Sequence, residues 1–213
     1  MRLCRIAGVD IRFDIPALIL FTLCVLAGIC KNLPLLFFSL TLHELAHTLM
    51  AYRLGYTVKS ISVQPFGFVA RLEGDVNEWD ALCIAAVGPL CSLVAGAVCF
   101  ALKNMNIDGA FLADFGNANL MIGLVNLLPA LPLDGGRILR ACLFRVLKEA
   151  YRIAAWIGVC IAVIFFALGV MLLWENNITM LFMGAFLLPA AIMELREATH
   201  GKSRALIQRT IRM

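Results

Sequence analysis

Charged side chains are scarce in this sequence. Asp, Glu, Lys and Arg make up 15% of its 213 residues, where soluble domains carry about 25%. With 62% of the residues hydrophobic and a mean hydropathy of +0.91, collagen, a disordered tail and a nucleic-acid-binding arm are excluded. No nucleic-acid partner is expected. Cys-x-x-Cys pairs are absent too: the eight cysteines are scattered, most of them inside apolar runs. A free cysteine in such a place behaves as a small buried hydrophobe, so no redox role is assigned to them. Internal repeats and low-complexity segments are also lacking.

What the sequence does have is long apolar runs, at residues 15–30, 33–52, 81–102, 111–133, 153–174 and 178–195. At about 20 residues per crossing they predict an all-α polytopic membrane protein with about six transmembrane helices. A single membrane-embedded domain is expected over 1–213: a cytoplasmic segment at 1–14, a six-span core at 15–197 and a basic cytoplasmic tail at 198–213. The first run reads as an uncleaved helix, because further spans follow and no clean small-x-small cleavage site stands out. With the N-terminus inside, all but Lys31 and Lys103 of the 18 Lys and Arg fall on the cytoplasmic side, as the positive-inside rule requires. Both termini are therefore expected in the cytoplasm. Residues 58–72 alternate polar and apolar around Pro65-Phe66-Gly67, which predicts a short β-hairpin on the cytoplasmic side. Residues 134–150 mix basic and apolar positions and predict an interfacial helix.

Inside the second run stands His43-Glu44-Leu45-Ala46-His47. A helix turns about 100° per residue, so the two histidines lie about 40° apart on one face, one turn from each other. Imidazoles so placed can bind one zinc ion, with Glu44 beside them as general base. Ionisable groups are costly in a bilayer and are read by default as functional. The competing reading is a polar clamp between helices.

A catalytic zinc site usually takes three protein ligands and keeps a position open for water. His200 lies in the basic tail and is a poor third ligand. Asp134 is the better one, in Asn126-Leu-Leu-Pro129-Ala-Leu-Pro132-Leu-Asp134-Gly135-Gly136-Arg137. Pro129 and Pro132 break the helix there, and Gly135 and Gly136 are expected to permit a turn just beyond the carboxylate. The second and fourth runs both travel from outside to inside. His47, about 21 Å along its helix from Leu33, and Asp134 therefore reach the same side of the membrane.

The early HELAH and the later NLLPALPLDGGR resemble the site-2 protease family of intramembrane zinc metalloproteases, M50, and within it the sporulation branch. The resemblance implies one zinc per chain held by His43, His47 and Asp134, with Glu44 as catalytic acid–base. It implies that Asn126 positions the substrate or the oxyanion, and that the membrane-associated hairpin around Pro65, Phe66 and Gly67 pairs with an unwound substrate strand. It further implies a bacterial cytoplasmic membrane location and a membrane-associated protein substrate, a pro-sigma factor in the sporulation branch. A membrane inhibitor or other regulatory partner is expected with it. Gly88-Pro89-Leu90-Cys91-Ser92 resembles the family's Gly-Pro-x-x-Asn motif, with Ser92 in place of asparagine, and Phe68 stands where a second glycine is frequent. The C-terminal nucleotide-sensing CBS domain of the sporulation enzymes is not expected. Another site-2 protease acting on an anti-sigma factor or on membrane stubs, a zinc transporter and a non-catalytic scaffold are the alternatives.

Overall fold

Helices take up most of the chain, as the apolar runs predict. The computed structural model describes residues 2–6, 9–13, 33–64, 67–73, 76–105, 109–144, 149–172 and 179–199. Its elements are β1 (Arg2–Ile6), β2 (Val9–Phe13), α1 (Leu33–Arg53), β3 (Thr57–Gln64), β4 (Gly67–Glu73), α2 (Glu78–Asn104), α3 (Ala110–Asn126), α4 (Asp134–Phe144), α5 (Ala150–Leu172) and α6 (Thr179–Thr199). The expected span at 15–30 and all but the first residues of the expected tail lie outside the described residues. Among the described residues two helices, α2 and α5, are long and apolar enough to cross a membrane. The run at 111–133 is not one helix: α3 ends at Asn126, and the chain passes Pro129 and Pro132 before α4 starts at Asp134. The Leu131–Pro132 peptide bond is cis.

By its internal contacts the chain divides into two units. The first holds the described residues up to Val76 together with Val87–Val125. It contains a four-stranded sheet in the order β1-β2-β3-β4. β1 and β2 pair antiparallel, and β2 lies parallel to β3 in the register Asp10↔Ser60 to Phe13↔Val63. β3 and β4 pair antiparallel from Thr57↔Glu73 to Gln64↔Gly67, and residues 65 and 66 lie outside the described residues. The N-terminal segment, expected only as a polar cytoplasmic stretch, thus supplies two strands, and the all-α expectation gives way to a mostly helical chain with one sheet. Val9–Phe13 alternates apolar with polar side chains and Arg2–Ile6 does not, and each is so short that the stretch passes as a loop.

α1 ends in a way that feeds the chain straight into β3. Gly55 adopts φ +89°, which only glycine takes without cost. The Tyr56 amide donates to Ala51 O and the Gly55 amide to Tyr52 O, both at 3.0 Å. These two bonds satisfy carbonyls that the helix end would otherwise leave unpaired. The later turns of α2 pack on α3 through small residues: a Cβ on Gly123 would come 2.9 Å from Leu93, and one on Gly116 would come 3.1 Å from Cys99. Small residues at such crossings let backbones approach closely, as is common between membrane helices.

The second unit holds Asn77–Ala86 and the described residues from Asn126 onward. α2 begins here with a reciprocal cap, in which the Asp80 amide donates to Asn77 Oδ1 at 2.9 Å and Asn77 Nδ2 to Asp80 Oδ2 at 2.6 Å. Ala154 and Ala155 of α5 pack with Leu131, and Ala162 packs with Leu187 and Ala191 of α6. The outward positions of α5 carry Trp156, Val163, Ile164, Phe166, Leu168, Val170 and Met171, all exposed. Large apolar residues outside and alanines inside invert the order of a water-soluble core. Tyr151 donates to Glu194 Oε2 at 2.6 Å, joining α5 to α6, while the Arg140 guanidinium of α4 sits 5.9 Å from the Tyr151 ring centroid.

Candidate metal centre

The helical period puts His43 and His47 on one face of α1, and packing then buries both. They are 2% and 1% exposed, in a helix where Phe37, Phe38, Leu45 and Leu49 are left outside. Their Nε2 atoms lie 3.1 Å apart, with the rings close to perpendicular. Two nitrogens bound at about 2.0–2.1 Å to one tetrahedral zinc would be separated by about 3.3 Å. The observed separation is close to that bite, and it is also the distance of a hydrogen bond between the two rings. Glu44 is half-buried beside it on the same helix.

Two residues of α2, one turn apart, back the pair. Ser92 Oγ lies 3.0 Å from His43 Nδ1, both side chains being buried. Gly88 leaves room for the other ring: a Cβ there would lie 2.2 Å from His47 Nε2. Neither role is legible in the sequence, although the Gly-x-x-x-Ser interval repeats the one-turn spacing of the histidines. Deeper along α1, buried Asn119 of α3 donates to Ser39 Oγ at 3.0 Å and to Phe115 O at 2.9 Å.

In the second unit, Asp134 is the first residue of α4 and only 5% exposed. An anion at a helix N-terminus is favoured by the helix dipole. Arg137 Nη1 lies 3.6 Å from Asp134 Oδ1, one turn on. The loop before it is folded tightly, with the Leu133 amide bonded to Ala130 O at 2.8 Å and the Gly136 amide to Leu133 O at 3.1 Å. Gly135 and Gly136 do not form the expected turn beyond the carboxylate; they are helical residues of α4. Close approach explains them. A Cβ on Gly135 would lie 2.3 Å from Leu127 O, and one on Gly136 would lie 2.3 Å from Leu131 N. The glycines let the helix start directly on its own loop.

His43 and His47 of the first unit and Asp134 of the second are all buried. Two neutral imidazoles and one carboxylate suit zinc, which takes nitrogen and oxygen ligands of this kind. Asn126 closes α3 and is half-buried. Gly67 opens β4 opposite Gln64, whereas Pro65 and Phe66 lie outside the described residues. Among the described residues five cysteines, Cys83, Cys91, Cys99, Cys142 and Cys160, are free.

Comparison with known proteins agrees with this chemistry. The sequence pattern of Peptidase family M50 matches residues 32–109 and 104–168. Zinc metalloprotease MJ0392 of Methanocaldococcus jannaschii is 34% identical over 210 residues, covering 92% of this chain and 60% of the relative. Putative zinc metalloprotease Rip3 of Mycobacterium tuberculosis is 37% identical over 142 residues, 62% of this chain and 36% of that protein. Stage IV sporulation protein FB of Bacillus subtilis is 30% identical over 124 residues, 57% of this chain and 43% of that one. The chain thus spans 60% or less of the length of these three relatives. The solved structure of the site-2 protease from Methanocaldococcus jannaschii matches with a TM-score of 0.72 at 33% identity, covering 92% of this chain and 95% of that one.

Proposed function

This chain belongs to peptidase family M50, and on that premise we propose that it is an intramembrane zinc metalloprotease. It hydrolyses a peptide bond of a membrane-associated regulatory protein within or near the inner leaflet. The observation that carries this reading is the buried pair of imidazole nitrogens, 3.1 Å apart, with a carboxylate next to them on one helix.

In this reading His43, His47 and Asp134 hold one zinc ion, and Glu44 is the acid–base. Zinc, when bound, polarises the scissile carbonyl and makes water more acidic. The chain's own residues do the rest. Glu44 accepts a proton from the attacking water as its oxygen adds to the carbonyl carbon. It returns that proton to the amine as the carbon–nitrogen bond breaks. The Asn126 amide donates to the oxyanion or to the adjacent substrate backbone. A helical substrate has its carbonyls engaged and must unwind first. The outer edge of β4, beginning at Gly67, can then receive the extended strand through main-chain hydrogen bonds.

Similarity to the sporulation protein of Bacillus subtilis supports the choice of substrate class. A pro-sigma factor, processed in the bacterial cytoplasmic membrane under control of a membrane partner, is the first choice. An anti-sigma factor or a membrane stub is the second. Six spans, with both termini cytoplasmic and one membrane-embedded domain over 1–213, complete the proposal. A zinc transporter or scaffold would not need Glu44 beside its ligands.

The test is co-expression of wild type and Glu44→Gln with a membrane-tethered pro-sigma-like substrate, with zinc counted in the purified proteins. One zinc in each, and product from wild type alone, is the expected result. Cleavage by Glu44→Gln would sink the mechanism, and protein without zinc in either would return the transporter and scaffold readings.

A further inference from the structure

A neutral imidazole carries one N–H and one lone pair, and its surroundings decide which nitrogen has which. For a histidine that is to bind metal through Nε2, the hydrogen must sit on Nδ1. Most metal-binding histidines are held in that form by an acceptor at the second nitrogen. In α1 the two Nε2 atoms converge to 3.1 Å, which fixes Nε2 of His43 as the atom facing its partner. Its Nδ1 turns the other way and meets Ser92 Oγ at 3.0 Å.

We propose that Ser92 is a positioning residue for the metal: its Oγ accepts the Nδ1–H of His43, so that the Nε2 lone pair is the one offered to the cation. The proposal rests on the reading of His43 and His47 as metal ligands and adds the residue that fixes the proton on one of them. Burial makes the contact consequential. Ser92 is 0% and His43 2% exposed, so bulk water cannot supply the acceptor if the hydroxyl is removed. In the opposite arrangement, with the hydroxyl donating to Nδ1, Nε2 would carry hydrogen and could not ligate.

The choice of serine fits its surroundings. The α2 face that carries Ser92 also carries Gly88, where even a methyl group would collide with His47 Nε2. On a face packed so closely, the hydroxyl on the Ser92 Cβ brings an acceptor to His43 in little volume. The asparagine that the family motif places there brings the same kind of acceptor, a carbonyl oxygen, on a longer arm. The departure from Gly-Pro-x-x-Asn therefore keeps the chemistry while changing the side chain.

The experiment compares the full chain in detergent as wild type, Ser92→Ala, Ser92→Asn and Ser92→Thr. Zinc dissociation constants come from competition with a chromogenic chelator, and apoprotein melting gives the structural baseline. Histidine tautomers are read from ¹⁵N spectra of the metal-free protein, which has only three histidines to resolve. Ser92→Ala is expected to bind zinc about 10–100-fold more weakly and to lose an Nδ1–H signal present in wild type. Ser92→Asn or Ser92→Thr is expected to restore both. A merely structural hydroxyl would lower the melting temperature without moving the tautomer. Zinc affinity in Ser92→Ala equal to wild type would overturn the proposal and leave the metal site standing. Wild type without zinc affinity would overturn the proposal together with the function it rests on.

Discussion

A methyl group added at position 88 tests the histidine pair from outside it. The Cβ would lie 2.2 Å from His47 Nε2 and 2.4 Å from Cε1, and the ring, 1% exposed, has no room to withdraw. Gly88→Ala should therefore displace His47 and reduce bound zinc at least about tenfold, the scale seen when a ligand loses its support. Gly109→Ala is the control, because its Cβ would meet nothing nearer than 3.8 Å. Zinc per chain and far-UV circular dichroism, measured on both, check the expectation that metal is lost while helix is kept. The same residues show what a sequence can disclose at this scale. His43, Glu44 and His47 are legible because helical period alone places them. Gly88 and Ser92 stand out only as a family-like motif, since their roles depend on how α2 docks against α1, a packing register that no local pattern records.

At the scale of elements, the start of α4 is a rigid platform for Asp134. The Cβ of an alanine at 136 would meet the Leu131 amide nitrogen at 2.3 Å and the Ala130 carbonyl carbon at 2.5 Å. Backbone atoms in a tightly bonded loop cannot yield as a side chain can. Gly136→Ala is expected to cost about 1–3 kcal/mol, the range for overpacking, and to lower zinc occupancy by shifting Asp134. Tyr151→Phe makes the contrast. It removes the 2.6 Å bond to Glu194 and should cost about 1 kcal/mol of stability, yet leave zinc stoichiometry at wild-type level. Melting curves with metal analysis on both variants separate the two effects. The break before α4 was readable from Pro129 and Pro132. The meaning of Gly135 and Gly136 was not, because a glycine required for close approach and one required for a turn look alike in sequence. β1 and β2 escaped for another reason: each is only five residues long, and β2 pairs with β3 across an intervening helix, a non-local pairing that leaves little local signature.

For the molecule as a whole, the distribution of side-chain size carries the membrane argument. The buried residues of α5 are all alanine or glycine, while Trp156, Ile164, Phe166 and Met171 face outward. Such an exterior would associate or precipitate in water, and in lipid it is unremarkable. Two native cysteines can turn this into a topology measurement. Cys142 on α4 and Cys160 on α5 are both exposed and free. Their surroundings differ: Cys142 borders an open cleft with Asn77, Glu78 and Asp80, whereas Cys160 lies within the apolar stretch of a candidate span. A thiol must ionise to react with a maleimide, and a thiolate forms in water and not in hydrocarbon. If the basic residues set orientation as the positive-inside rule states, Cys142 faces the cytoplasm. In a background retaining one cysteine at a time, a membrane-impermeant maleimide should label Cys142 in inverted vesicles and not in right-side-out ones. Cys160 should remain unlabelled in both, and should react only once the membrane is dissolved and the chain unfolded. Labelling of Cys142 from the outer face would reverse the orientation and carry Asp134, at the other end of the same short helix, away from the cytoplasmic side. Labelling of Cys160 in intact vesicles would place water against α5 and remove the reason for its outward-facing apolar surface.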